Sequence, residues 1–169
     1  GATLIITHHR CSVPEGSSCI LVDDPVKALG DIASILRDRF DVPVVGITGS
    51  NGKSTTKQMT SAALCSMGPI LRTEGNYNNL IGLPLTILQW NDGHKAAVLE
   101  MGMNAPGEIT RLAKIAKPHV GIITNVSPAH LEFLHTIENV AKAKGELFDN
   151  MRDDGTIIVN LEDPWIKKL

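Results

Sequence analysis

From residue 42 onward the chain alternates short apolar runs with longer stretches whose apolar residues recur every three or four positions. The runs are "VPVVGIT", "AAVLEM", "VGIITNV" and "GTIIVN", all rich in β-branched residues, and each predicts a strand. Between them, residues of about 52–67, 106–117 and 136–151 carry helical periodicity. Strand and helix alternating at these lengths predict parallel βαβ units, hence an α/β fold built on a doubly wound parallel sheet. Upstream, "ATLIIT" (2–7) reads as a short buried strand and "CILV" (19–22) as another, separated by the polar loop "HHRCSVPEGSS". Asp24 before Pro25 predicts a helix start, an N-cap followed by a first-turn proline. Val26, Leu29, Ile32, Ala33, Leu36 and Phe40 continue it at helical spacing. The expected division is residues 1–24 as the end of an N-terminal domain, 25–41 as a connecting helix and 42–169 as part of a larger α/β domain. The closing "PWIKKL" reads as a helix with no evident cap, which suggests a piece of a longer protein.

Composition narrows the function classes. A chain of 169 residues that is 43% hydrophobic and 20% charged is ordinary for a soluble globular protein. Its formal charge of −2 argues against a nucleic-acid partner, which would call for a basic excess. Aromatic residues, at 4%, are too few for base-stacking platforms. No apolar run approaches the ~18 residues of a membrane span, and the N-terminus lacks the regions of a signal peptide. Three cysteines without metal-ligand spacing, Cys11, Cys19 and Cys65, predict reduced thiols. His8, His9 and Cys11 read as a solvated loop. The expectation is a cytoplasmic monomer with no membrane partner.

Chemistry concentrates in "GITGSNGKSTTKQM", residues 46–59. A general phosphate loop, G-x-x-x-x-G-K-[ST], would place its first glycine at position 47, which is Ile47; the glycines here are Gly46, Gly49 and Gly52. The mechanics survive this departure. Glycines let backbone N–H groups face an anion, the following helix presents its N-terminus, and Lys53 supplies charge for the outer phosphates. Ser54 offers a hydroxyl to Mg²⁺. Because ligands gather at the carboxyl ends of parallel strands, Glu100 at the end of "AAVLEM", and Asn125 with His130 beyond "VGIITNV", are expected on the same rim. A carboxylate there suits Mg²⁺, an oxygen-loving cation; the usual P-loop kinase or GTPase would carry aspartate instead.

"TGSNGKSTTKQM", "EGNYNNLIGLPLTIL", "VLEMGMNAPGEITRLAKIAKPHVGIITNVSPAHLEFL" and "IENVAKAKGELF" together resemble the Mur ligases over about residues 20–169. The motifs are most similar to the branch that joins D-alanyl-D-alanine to UDP-N-acetylmuramoyl-tripeptide. Departures are mild: Ser54 stands where threonine is commoner, and Met103 and Ala105 vary a typical motif. The resemblance implies a central ATP-binding domain in an ATP- and Mg²⁺-dependent enzyme of peptidoglycan synthesis. In that chemistry the substrate carboxylate attacks the γ-phosphate to give an acyl phosphate and ADP, and the amine of the dipeptide then displaces phosphate from the acyl carbon. Gly49, Ser50, Asn51, Gly52, Lys53, Ser54 and Thr55, with Asn125, would hold the nucleotide. Lys53 would grip the β- and γ-phosphates, Ser54 and Glu100 one Mg²⁺, and His130 a second. Asn78 and Asn79 match a loop that meets the nucleotide-sugar substrate; by residue type alone they are also good caps for the next element. Lys144 sits within the apolar stripe Ile137, Val140, Ala141, Leu147 and Phe148, whereas Lys142 lies off it. By resemblance Lys144 would be carbamylated and help hold the second Mg²⁺ beside His130. Since family members have three domains, a piece of this length is expected to be inactive alone. A folylpolyglutamate-synthase-like amide ligase and a non-catalytic nucleotide-binding module are the alternative readings.

Overall fold

The computed structural model describes residues 2–128 and 131–169, so His130 lies outside the described residues. Two strands open the chain, β1 (Leu4–Thr7) and β2 (Ser18–Leu21), paired in parallel as a sheet of their own. They were expected to be buried and are not: Leu4, Ile20 and Leu21 are about half exposed. Among the described residues no helix packs closely on this ribbon to cover its faces. Helix α1 (Pro25–Arg37) starts where Asp24 and Pro25 predict, the Asp24 carboxylate accepting from the N–H groups of Val26 and Lys27. It packs on other helices of the larger unit, with Ala33 fully buried.

The larger unit contains β3 (Val44–Thr48), α2 (Lys53–Leu64), β4 (Ile70–Arg72), α3 (Gly82–Ile87), β5 (Ala96–Glu100), α4 (Glu108–Ala116) and β6 (Val120–Ile123). After these come α5 (Leu131–Leu134), α6 (Ile137–Asp149), β7 (Thr156–Val159) and α7 (Pro164–Lys168). The five strands form one parallel sheet in the order β4-β5-β3-β6-β7. Helix α2 covers one face, over Val45, Ile47 and Val98, while α1, α3, α4 and α6 build the main core on the other. The sheet is therefore doubly wound, as the alternation predicts. Chain order reverses at β3, so a crevice opens beyond its carboxyl end between β5 and β6.

Three local features were not anticipated. The short β4 and α3 escaped the pattern because three residues, or six, carry too little periodicity to register. The closing helix α7 has a cap after all: Asp163 accepts from Trp165 N–H and Ile166 N–H. Its other oxygen takes the buried N–H of Val126 at 2.6 Å. Gly46, inside the "VPVVGIT" run expected as a strand, is a buried residue of β3, where an added Cβ would meet Met101 and Leu147 at 3.1 and 3.3 Å. Among the described residues no helix is long and apolar enough to cross a membrane.

Candidate functional site

The loop between β3 and α2 turns on two glycines in the left-handed half of backbone space, Gly49 (φ 147°) and Gly52 (φ 77°). Gly52 occupies the N-cap of α2 and brings no side chain, so nothing in the helix itself caps its first-turn N–H groups. Such a terminus carries partial positive charge and favours an anion. The loop is also anchored from the segment that follows β6. Ser50 N–H donates to the Asn125 carbonyl at 3.0 Å, and Asn51 N–H to Asn125 Oδ1 at 2.9 Å. Ser50 Oγ donates to the Ser127 carbonyl and accepts from its N–H, at 3.0 and 2.9 Å. Asn125, expected at the nucleotide, thus has its side-chain oxygen engaged by the loop. At Gly49 a Cβ would fall 1.9 Å from Thr124 Oγ1. Gly49→Ala is accordingly expected to cost about 2–4 kcal/mol, from steric overlap and backbone strain together. Urea unfolding checks this, and adding Thr124→Ala, which removes the clashing oxygen, should recover part of the loss.

Across from the loop, β5 ends in Glu100, 2% exposed. Its Oε2 accepts from Ser54 Oγ at 2.9 Å and lies 3.3 Å from Lys57 Nζ, while Oε1 accepts from Asn78 Nδ2 at 2.8 Å. The structure therefore gathers Ser54, Asn78 and Glu100, three residues singled out from the sequence, and adds Lys57, which was missed. The available signal was spacing: Lys57 follows Lys53 by four positions and Ser54 by three, one face of α2. Lys53 Nζ donates to the carbonyls of Gly49 and Ser50, at 2.8 and 3.2 Å. Burial holds its pKa below the ordinary lysine value, with Glu100 opposing that shift. Asn79 faces its own chain, Oδ1 accepting from the N–H groups of Ile81 and Gly82 at the start of α3.

Two clefts meet at these residues. One, about 420 Å³, runs along the loop from Ser50 to Thr55 past Glu100. The second, about 540 Å³, continues past Asn79, Gly102 and Glu108 to Lys144; Lys53 and Asn78 line both. Lys144 is 2% exposed and, among the described residues, has no hydrogen-bond or ion-pair partner. Desolvation, assisted by the charge of Lys53, lowers its pKa to about 8. Lys142, by contrast, is exposed and pairs with Glu138 one turn away. Helix α6 is pinned in register by Glu146, whose carboxylate accepts from Gly107 N–H and Thr110 N–H at the start of α4, at 2.7 and 2.9 Å.

The donor set fits Mg²⁺. Octahedral coordination at about 2.1 Å places adjacent ligand oxygens about 3 Å apart, and Ser54 Oγ and Glu100 Oε2 are 2.9 Å apart. No cluster of three or more His, Cys, Asp or Glu side chains suited to a metal occurs among the described residues. A cation held by one hydroxyl and one carboxylate must take further oxygens from water or phosphate, as Mg²⁺ usually does.

Comparison with known proteins agrees with this geometry. Residues 47–169 match the family model described as the Mur ligase middle domain. The UDP-N-acetylmuramoyl-tripeptide–D-alanyl-D-alanine ligase of Bacillus subtilis (strain 168) is 42% identical over 154 residues, covering 91% of this chain and 34% of its own. Its counterpart in Escherichia coli (strain K12) is 38% identical over 167 residues, covering 98% of this chain and 36% of its own. The chain thus spans about a third of the length of the curated relatives it matches. The crystal structure of the MurF ligase from Thermotoga maritima in complex with ADP superimposes with a TM-score of 0.92 at 36% identity, covering 99% of this chain and 39% of that one. With the middle-domain match extending over most of its length, the chain belongs to the Mur ligase family.

Proposed function

We propose that this chain carries the ATP- and Mg²⁺-binding part of a ligase that joins D-alanyl-D-alanine to UDP-N-acetylmuramoyl-tripeptide through an acyl phosphate. The observation that carries the reading is the uncapped start of α2 set against a buried Glu100 held by both Ser54 and Asn78. The likeness to MurF enzymes, one of them an ADP complex, supports the choice of nucleotide and substrates.

In this reading the residues from Gly49 to Thr55 enclose the phosphates with backbone N–H groups. Lys53 leaves the loop carbonyls and turns its ammonium to the β- and γ-phosphates. Ser54 and Glu100 are the residues that would hold Mg²⁺, and His130 a second ion. Bound there, Mg²⁺ supplies charge neutralisation between two anions that must meet, the γ-phosphate and the substrate carboxylate. The two clefts, joined at Lys53 and Asn78, give the carboxylate a route to the phosphate from the side opposite the loop. In the amide-forming step the dipeptide amine attacks the acyl carbon, phosphate leaves and the amine loses a proton. Lys144, which lines the same cleft as Lys53, is in this reading the residue that would carry a carbamate. At pKa about 8 roughly a tenth of its amine is neutral at pH 7, the form that adds to CO₂ with release of a proton.

A complete ligase containing this chain should hydrolyse ATP in response to UDP-N-acetylmuramoyl-tripeptide plus D-alanyl-D-alanine and not to folates. The reverse preference would discard the reading. Glu100→Gln, which keeps shape and removes charge, is expected to lower the rate in a way that raised Mg²⁺ partly relieves. A defect indifferent to Mg²⁺ concentration would assign Glu100 a purely structural role.

A further inference from the structure

Lys57 is absorbed by none of the chemistry above, yet it is as deeply placed as the carboxylate it meets. Its side chain is 6% exposed, that of Glu100 3%, and the two are 3.3 Å apart. Buried ammonium groups are retained only with a partner, and Glu100 is the sole ion-pair partner of Lys57 among the described residues. Both Glu100 oxygens are already engaged by other donors, Ser54 and Asn78. The carboxylate does not need Lys57 for hydrogen bonding. What Lys57 adds is charge.

We propose that Lys57 makes metal capture at Glu100 conditional on the polyphosphate. This rests on the reading of Ser54 and Glu100 as the metal ligands. With no phosphate present, the buried charge of Glu100 is balanced by Lys57, and the adjoining cleft is lined by two lysines, Lys53 and Lys144, against one carboxylate, Glu108. A bare dication approaching Ser54 and Glu100 meets a site whose charges sum to positive. The nearly buried Lys57 ammonium, 3.3 Å from Glu100, repels a dication arriving at the same carboxylate. A nucleotide polyphosphate brings several negative charges and reverses that sum, so the metal enters with the nucleotide or after it. Lys57 is nearly buried on a helix and held at Glu100, at the edge of a small cleft of about 220 Å³ that it shares with Ser54, Arg72 and Glu74. It is a positioning residue for charge, acting through Glu100.

The test is metal binding by the full chain, read by electron paramagnetic resonance with Mn²⁺, alone and with ADP. Wild type should bind Mn²⁺ weakly alone and at least a hundredfold more tightly with ADP. Lys57→Gln, which can still hydrogen-bond Glu100, should gain at least tenfold in affinity for Mn²⁺ without nucleotide. Lys57→Arg should behave as wild type, and Lys57→Gln/Glu100→Gln should lose the gain. A merely structural role predicts loss of binding, never gain. Circular dichroism checks folding. If Lys57→Gln does not fold, wild type alone still decides: nucleotide-free Mn²⁺ affinity within tenfold of that with ADP, and dependent on Glu100, overturns the proposal. Failure of wild type to bind Mn²⁺ with ADP at all removes the underlying site reading as well. Normal binding with ADP and an unchanged or weakened Lys57→Gln removes only the role of Lys57.

Discussion

Replacing Lys53 by alanine is expected to lower ligation by a complete enzyme containing this chain by about 10²–10³-fold, the usual cost of one preorganised electrostatic donor. The side chain leaves the first residue of α2 and reaches back over Gly49 and Ser50. Its Nζ therefore sits at the hinge of the loop, between the two clefts. Partial burial has already stripped the ammonium of some water, so exchanging two loop carbonyls for phosphate oxygens replaces neutral acceptors with charged ones, which bind it more strongly. The same substitution should weaken ADP binding to the chain by at least tenfold in calorimetry. Thermal unfolding separates this from loop damage: the variant should unfold within a few degrees of wild type. A ligation rate within a few fold of wild type would remove Lys53 from the phosphate site.

Lys144→Met is expected to do the opposite to stability. In CO₂-free buffer at pH 7 the variant chain should be more stable than wild type by roughly 3 kcal/mol. The figure is the free-energy equivalent of moving a lysine from its ordinary 10.5 to about 8, at about 1.4 kcal/mol per pH unit. Methionine keeps most of the stem's volume, so the packing of α6 is preserved. Below pH 8 the folded wild type holds a desolvated proton at the full cost. Between about 8 and 10.5 the unfolded chain binds the proton that the folded chain has released, so wild-type stability rises with pH through that window. The advantage of the variant should therefore shrink as pH rises and vanish near 10.5. Urea unfolding at pH 7, 9 and 10.5 checks both size and slope. An advantage that is absent at pH 7, or constant with pH, would show that the ammonium is solvated or paired. In the complete ligase the same variant should lose activity, the pattern of a residue retained for function against stability.

The strands and long helices were legible because each carries enough residues to display its period. The "VPVVGIT" run became β3, and the stripe around Lys144 became the buried face of α6. Lys144 and Lys142 were separable by phase alone, one buried and the other exposed on the same helix. Where elements are short, the period fails: β4 spans three residues and α3 six. Lys57 shows a second limit, since a lysine on a polar helix looks solvated until a carboxylate from another strand is seen beneath it.

By itself the sequence determined the α/β class, the capped start of α1, the left-handed turns available to Gly49 and Gly52, and the presence of a lysine, a hydroxyl and a carboxylate at strand ends. These follow from local sterics and periodicity, which act over a few neighbouring residues. Tertiary structure alone decided that Glu100 faces Ser54, Asn78 and Lys57 together, that Asn125 holds the loop from behind, and that Asp163 ties α7 to Val126. Those pairings join residues 22 to 74 positions apart, and they exist only because the strand order β4-β5-β3-β6-β7 brings the ends of β5 and β6 to either side of β3.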